Sequence, residues 1–292
     1  MKSSYYKYFA ALLLFGSNGI VASNINLPSY EIVLLRLLLG SLFLITVFTV
    51  SRQRFTFYRN KHTCLYLFIS ASAMGASWML LYEAYQQVGI SIASLAYYCG
   101  PVIVMILSPF LFRETLTWPK IAGFLTVLAG MCLVNLQELD EGKTIWGLFC
   151  GFISAFMYAL MVTANKKAKP KSGLENSLLQ LVIGSFIVVA FVSMQKNFVL
   201  SLTTIDWIPV LLLGLLNTGI GCYLYFSSIT DLPVQTVAIC GYLEPLSAVV
   251  FSVLFLHEVL LPLQMLGAVL ILGGAIFGEC FNPEKHQWLQ SK

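Results

Sequence analysis

Glu31-Ile32-Val33-Leu34-Leu35-Arg36-Leu37-Leu38-Leu39-Gly40-Ser41 is matched by Glu175-Asn176-Ser177-Leu178-Leu179-Gln180-Leu181-Val182-Ile183-Gly184-Ser185, in the same frame 144 residues further on. The same shift carries Gly75 onto Gly219, Tyr98 onto Tyr242 and Pro101 onto Pro245. It also carries Ser108 onto Ser252, Glu114 onto Glu258, Gly123 onto Gly267 and Gly130 onto Gly274. Glycines alone match by chance in an apolar chain, but a register held this long does not. Self-similarity at one fixed offset marks a duplicated unit.

The unit is a membrane one. Hydrophobic residues make up 58% of the 292 and charged residues 10%, with mean hydropathy +0.82. Soluble domains carry about 25% charge, so this chain cannot cover a water-facing surface. A spanning helix needs roughly 20 apolar residues. Ten such segments are expected, near 5–23, 30–50, 63–88, 91–112, 118–136, 145–165, 175–195, 207–228, 233–256 and 261–280. Turn residues separate them, as at Asn24 to Pro28, Lys169-Pro170 and Asp231-Leu232-Pro233. Val21-Ala22-Ser23 loosely suggests a signal-peptide cleavage site. We read the first segment instead as a helix, because it completes the first of two matching halves.

The expected fold is therefore an all-α membrane protein of ten transmembrane helices, built as two five-helix repeats over residues 1–137 and 144–281, with a tail over 282–292. An odd number of crossings per half makes the repeat inverted. Such folds hold substrate near the bilayer midplane between the halves and expose it to each side in turn. Basic loops lie on the cytoplasmic side. Arg52, Arg54, Arg59 and Lys61 form one basic cluster, and Lys166, Lys167, Lys169 and Lys171 the other. With both inside, the loop at 137–143, with Glu138, Asp140 and Glu141, lies outside. Both termini are then cytoplasmic, near Lys2, Lys7, Lys285 and Lys292.

Ala93-Ser94-Leu95 through Pro101, then Phe110-Leu111-Phe112-Arg113-Glu114-Thr115-Leu116-Thr117, resembles the EamA domain of the drug/metabolite transporter superfamily. So does Tyr242-Leu243-Glu244-Pro245 leading to Phe255-Leu256-His257-Glu258, and the spacing to the glycine pairs fits both copies. The resemblance covers nearly the whole chain. It implies ten helices in the cell membrane and export or exchange of small metabolites; it names no substrate. Gln180 stands where the first half has Arg36, so the halves differ in charge.

Other classes fit less well. The formal charge of +4 resides in loops rather than on a face for nucleic acid. None of the seven cysteines forms a CxxC pair, and His62, His257 and His286 lack metal-ligand spacing, so no metal or cofactor is expected. No GxxxxGK[ST] stretch supports an ATPase. An intramembrane enzyme needs a catalytic set at membrane depth, and the few histidines lie at helix ends. The expected partners are a small solute and the bilayer. Gly147-x-x-x-Gly151 and Gly274-x-x-x-Gly278 allow close helix contact, and the chain is expected as a monomer or homodimer.

Ionisable groups within a bilayer are costly and usually face a cavity or a partner. Glu244 lies eleven residues beyond Pro233, about 16 Å along a helix and near mid-membrane. Its repeat counterpart is Gly100. It can exchange a proton or meet a cationic substrate, or it can be a neutral core residue bonded to backbone or tyrosine. Arg36 and Glu83 fall at similar depths below the outer face. They are expected as a buried ion pair, serving either helix orientation or substrate gating. Pro101 and Pro245, with Gly100 and Gly241, interrupt their helices and free the Tyr97 and Gly241 carbonyls. That suits either a packing kink or a hinge at the binding site. Trp78, Tyr82, Tyr97, Tyr98, Tyr158, Tyr223 and Tyr242 can cage a cation or flat solute, or simply pack. Ser17, Asn18 and Asn217 offer hydrogen bonds to a cavity or to neighbouring helices. Glu114 and Glu258 are assigned to tight helix turns.

Overall fold

The computed structural model describes residues 2–88, 90–135, 145–194, 207–256 and 261–280. The acidic loop at 137–143, His257, Glu258 and the tail at 282–292 lie outside the described residues.

Among those described, all regular structure is helical. The first half runs through α1 (Lys2–Gly16), α2 (Asn18–Ser23), α3 (Ser29–Val50), a short 3-10 turn (Phe57–Arg59), α4 (Lys61–Val88), α5 (Ile90–Tyr97), α6 (Cys99–Phe112) and α7 (Trp118–Asn135). The second runs through α8 (Ile145–Ala168), α9 (Gly173–Ser193), α10 (Trp207–Leu211), a π-helical segment (Leu212–Ile220), α11 (Gly221–Ser228), α12 (Val234–Gly241), α13 (Leu243–Leu256) and α14 (Pro262–Cys280). Six stretches are long and apolar enough to cross a membrane: Tyr30–Val50, Lys61–Val88, Ile145–Ala168, Gly173–Ser193, Trp207–Ser228 and Val234–Phe255. Cys99–Phe112, Trp118–Leu133 and Pro262–Gly278 are shorter apolar helices.

The surface is apolar as well as the core. On α8, Phe149, Phe152 and Phe156 are exposed, whereas Cys150, Gly151, Ser154 and Ala155 are buried. Large apolar rings suit lipid, and small residues let helices approach closely. Serines join α4 to α8 reciprocally: Ser77 Oγ donates to the Ser154 carbonyl at 2.9 Å and Ser154 Oγ to the Ser77 carbonyl at 2.7 Å. Asn165 and Asn176 exchange two 3.0 Å side-chain bonds between α8 and α9. Glu114 accepts the Val234 and Gln235 amides that open α12, so it caps a helix of the other half rather than the tight turn beside it in sequence.

The sequence offset reappears as contacts across an axis between the halves. Ser41 and Ser185, 144 residues apart, meet at 3.0 Å. Tyr242 donates its hydroxyl to the carbonyl of Tyr98, its own counterpart, at 2.7 Å. The α7–α14 contact is reciprocal: Gly123 lies on Gly274 and Gly130 on Gly267. A Cβ at Gly123 would stand 2.5 Å from the Gly274 carbonyl oxygen and 2.8 Å from Gly278 Cα. The glycines of Gly274-x-x-x-Gly278 are thus used inside the chain, and Gly151 likewise lies against Ala96.

Backbone cannot yield to a new side chain as a flexible side chain can, so Gly123→Val should force α7 and α14 apart. Overpacking of this kind costs about 1–3 kcal/mol. We expect a lower thermal midpoint in detergent than for Gly273→Ala, where a Cβ meets nothing within 4 Å. Equal midpoints would show that this crossing is loose.

Candidate functional site

Three helical rods are broken by single turn residues. The first bends at Ser17, between α1 and α2. The others break at Tyr98, between α5 and α6, and at Tyr242, between α12 and α13. Both tyrosine breaks lie three residues before a proline, Pro101 or Pro245, whose missing N–H weakens the preceding turn. The interruptions expected at Gly100, Pro101, Gly241 and Pro245 therefore fall on the tyrosines, with Gly100 and Pro101 inside α6 and Pro245 inside α13. The extra ligand on this backbone is on the Tyr98 carbonyl, through Tyr242, rather than on that of Tyr97.

Glu244 stands in the first turn of α13, just after the Tyr242 break. It is enclosed by the bundle, with part of the residue's surface still accessible. Among the described residues its carboxylate has no hydrogen-bond donor. Its charge reaches Tyr8, Tyr85, Tyr97, Tyr98 and Tyr158. The one cation acting on it is Arg36. Across the axis its place is taken by Gly100, where a Cβ would meet the Tyr158 ring at 2.7 Å. One side of the paired site therefore carries the carboxylate and the other a ring.

The tyrosines form a continuous wall. Tyr97 packs on Tyr98 at 5.7 Å and on Tyr158 at 5.5 Å. Tyr98 reaches Tyr242 at 6.3 Å. The Tyr158 and Tyr225 hydroxyls lie 3.3 Å apart, and Tyr225 packs on Tyr8 at 5.6 Å. Gly241 faces the Tyr8 and Tyr158 hydroxyls. Tyr223 is not part of this wall; Lys7 lies 5.9 Å from its ring.

Arg36 is buried on α3. Its guanidinium sits 4.5 Å from the centre of the Trp78 ring, and its Nε donates to Thr218 Oγ1 at 2.9 Å. The expected ion pair with Glu83 is not formed. Glu83 instead accepts from Gln87 Nε2 at 3.2 Å and Trp146 Nε1 at 3.3 Å. The cause is helical phase. Trp78, Tyr82 and Tyr85 share one stripe of α4, while Glu83, five residues beyond Trp78, lies about 140° around it. Equal depth does not make two side chains face each other.

The π-helical segment serves both sides of this site. Thr218 holds Arg36. Asn217 Nδ2 donates to the Leu14 carbonyl and Ser17 Oγ, each at 2.8 Å, and to Asn18 Oδ1 at 3.0 Å. Asn18, Ser17 and Asn217 thus brace the break in the first rod. Wide π turns often mark functional positions. The sequence reading missed Thr218 and Tyr85. The polar triplet Asn217-Thr218-Gly219 inside an apolar run was the available signal for the first. The 78/82/85 spacing was the signal for the second.

Comparison with known proteins follows the same outline. The EamA-like transporter family matches residues 3–136 and again 145–278. The uncharacterized transporter YxxF of Bacillus subtilis (strain 168) is 27% identical over 275 residues, covering 92% of this chain and 86% of that protein. The threonine/homoserine exporter RhtA of Escherichia coli (strain K12) is 27% identical over 239 residues, covering 81% and 77%. A crystal structure at 18% identity superimposes with a TM-score of 0.81, over 95% of this chain and 98% of the other. It attests to the fold alone.

Proposed function

The chain belongs to the EamA-like transporter family, and from that premise we propose a secondary active exporter of small organic metabolites that works by alternating access, with proton exchange at Glu244. The proposed frame is ten crossings as two inverted five-helix repeats, 1–137 and 144–281, in the cytoplasmic membrane with both termini and the tail at 282–292 inside. The observation that carries the reading is the enclosed Glu244 carboxylate, without a hydrogen-bond donor among the described residues, beside a broken helix and within the field of Arg36. An uncompensated carboxylate at such depth is costly unless a cation or proton visits it.

Arg36 and Glu244 together suit a zwitterion, with substrate carboxylate toward the guanidinium and substrate amine toward Glu244. Tyr98 and Tyr242 contribute from the tyrosine wall, and Trp78 and Tyr82 from the α4 stripe beside Arg36. The name of RhtA supports both export and this substrate class. With Glu244 ionised, the pair is neutral overall and accepts a neutral zwitterion. After release outside, a proton takes the place of the amine, and the empty site returns carrying the charge of Arg36. Each turn then moves one positive charge inward, so both a pH gradient and an inside-negative potential drive export. The breaks at Tyr98 and Tyr242, with Gly100, Pro101, Gly241 and Pro245, are the proposed hinges.

The test is a screen in sealed vesicles containing the purified protein, with amino acids, amines and uncharged drug-like solutes outside and an acidic lumen. Zwitterion accumulation that collapses with the gradient is the expected result. Flux that follows only the solute's own gradient indicates facilitated diffusion and overturns proton coupling. For orientation, Lys169→Cys in a cysteine-free background should resist impermeant reagents applied to intact cells; labelling there reverses the assignment.

A further inference from the structure

A cavity whose lining does not include Glu244 opens between the 3-10 turn that follows α3 and the α8–α9 connection. Its volume is about 320 Å³. Arg59, His62 and Thr63 line it from the first half, and Lys167, Lys169 and Lys171 from the second. Glu175 is the one acidic residue in the wall, and it is already engaged. It accepts from the Thr56 and Phe57 amides and from the Thr56 hydroxyl. Four fixed cations therefore share one recess in which the carboxylate is committed to backbone. The first turn of α4, from Lys61, opens onto the same recess and adds the positive end of its dipole. Loop orientation by basic residues accounts for positive charge on this face. It does not account for gathering that charge around a cavity shared by both halves.

We propose that this recess is a binding site for a phosphate-bearing anion, either a lipid headgroup or a soluble phosphorylated metabolite. The volume is at the low end of the roughly 300–1,000 Å³ of small-molecule sites, and so exceeds what a bare phosphate fills. Arg59 supplies a planar fork for phosphate oxygens, and the lysines supply point charges. The lining comes from both repeats. A bound anion therefore ties the two loops together and favours the transport state in which they touch, giving the carrier a control separate from its central site.

The test uses the full chain in neutral phosphatidylcholine nanodiscs. Lysine acylation is read by mass spectrometry in two arms, with pyrophosphate added at constant ionic strength, or with phosphatidylglycerol included in the bilayer. Protection of Lys167, Lys169 and Lys171 relative to Lys2, which is exposed and outside the lining, is the expected result in at least one arm. The pyrophosphate arm identifies a soluble ligand, and the phosphatidylglycerol arm alone a headgroup. Arg59→Gln should raise the half-protecting amount about tenfold, a typical loss for one charge-assisted contact. Arg54→Gln, a cation of the same loop outside the lining, should leave it unchanged. Absent protection, uniform protection of all lysines, or equal effects of the two variants overturns the proposal. The wild-type labelling stands by itself if a variant folds poorly.

Discussion

Glu244→Gln should abolish pH-gradient-driven accumulation in vesicles while the protein elutes from detergent chromatography as the wild type does. Folding is expected to survive because glutamine has nearly the same shape. The carboxylate also has no hydrogen-bond donor among the described residues to lose. Transport fails for two reasons. The amide cannot exchange a proton, and it leaves Arg36 as a fixed positive charge opposite the incoming amine. Loss of one charge-assisted contact is worth about 1.5–3 kcal/mol, or roughly 10–100-fold in affinity; loss of the coupling itself is complete. Counterflow of labelled substrate without a gradient separates the two effects, since it needs binding but no proton. If the glutamine variant keeps wild-type gradient-driven transport, Glu244 is a satisfied core residue and the mechanism is wrong.

Arg36→Gln should change which solutes move. Zwitterion transport is expected to fall roughly 10–100-fold with the loss of the guanidinium–carboxylate contact. Simple amines should be spared or favoured, because repulsion from Arg36 is gone while Glu244 remains. Arg36 also stacks on Trp78 and bonds Thr218, so some loss of folded yield accompanies the change. The ratio of zwitterion to amine transport, measured in one preparation, is independent of yield. Arg36→Lys should recover part of the ratio, because the positive charge returns without the planar fork that suits a carboxylate. An equal fall for both solute classes would show that Arg36 only holds α3, α4 and the π-helical segment together.

Several parts of the site were readable from residue order and several were not. The duplicated frame pointed to Tyr98 and Tyr242 as counterparts, and they meet across the axis. Glu244 was marked by being an acid within an apolar run. Glu83 carried the same mark and was drawn into a pair with Arg36 on depth alone. Depth along a helix follows from counting. The direction a side chain takes follows from the helix's rotation about its own axis. That rotation is fixed by packing against neighbouring helices, which the count does not see. The π-helical segment escaped for a related reason, because its nine residues leave the apolar pattern of Trp207–Ser228 almost unaltered while they redirect Asn217 and Thr218.

The sequence by itself determined the membrane class, the approximate helical segments, the duplication and the weak turns before the prolines. Each is a property of runs and offsets along one dimension, governed by the cost of exposing polar backbone to lipid. Only the tertiary structure decided that Arg36 is held by Thr218 and Trp78 rather than by Glu83, that Tyr158 fills the space opposite the carboxylate, and that cations from both halves surround one recess. Those pairings join residues from tens to more than two hundred positions apart in the chain. They are selected by how rigid helices interlock, since close packing permits few rotations and each rotation turns a whole face of side chains at once.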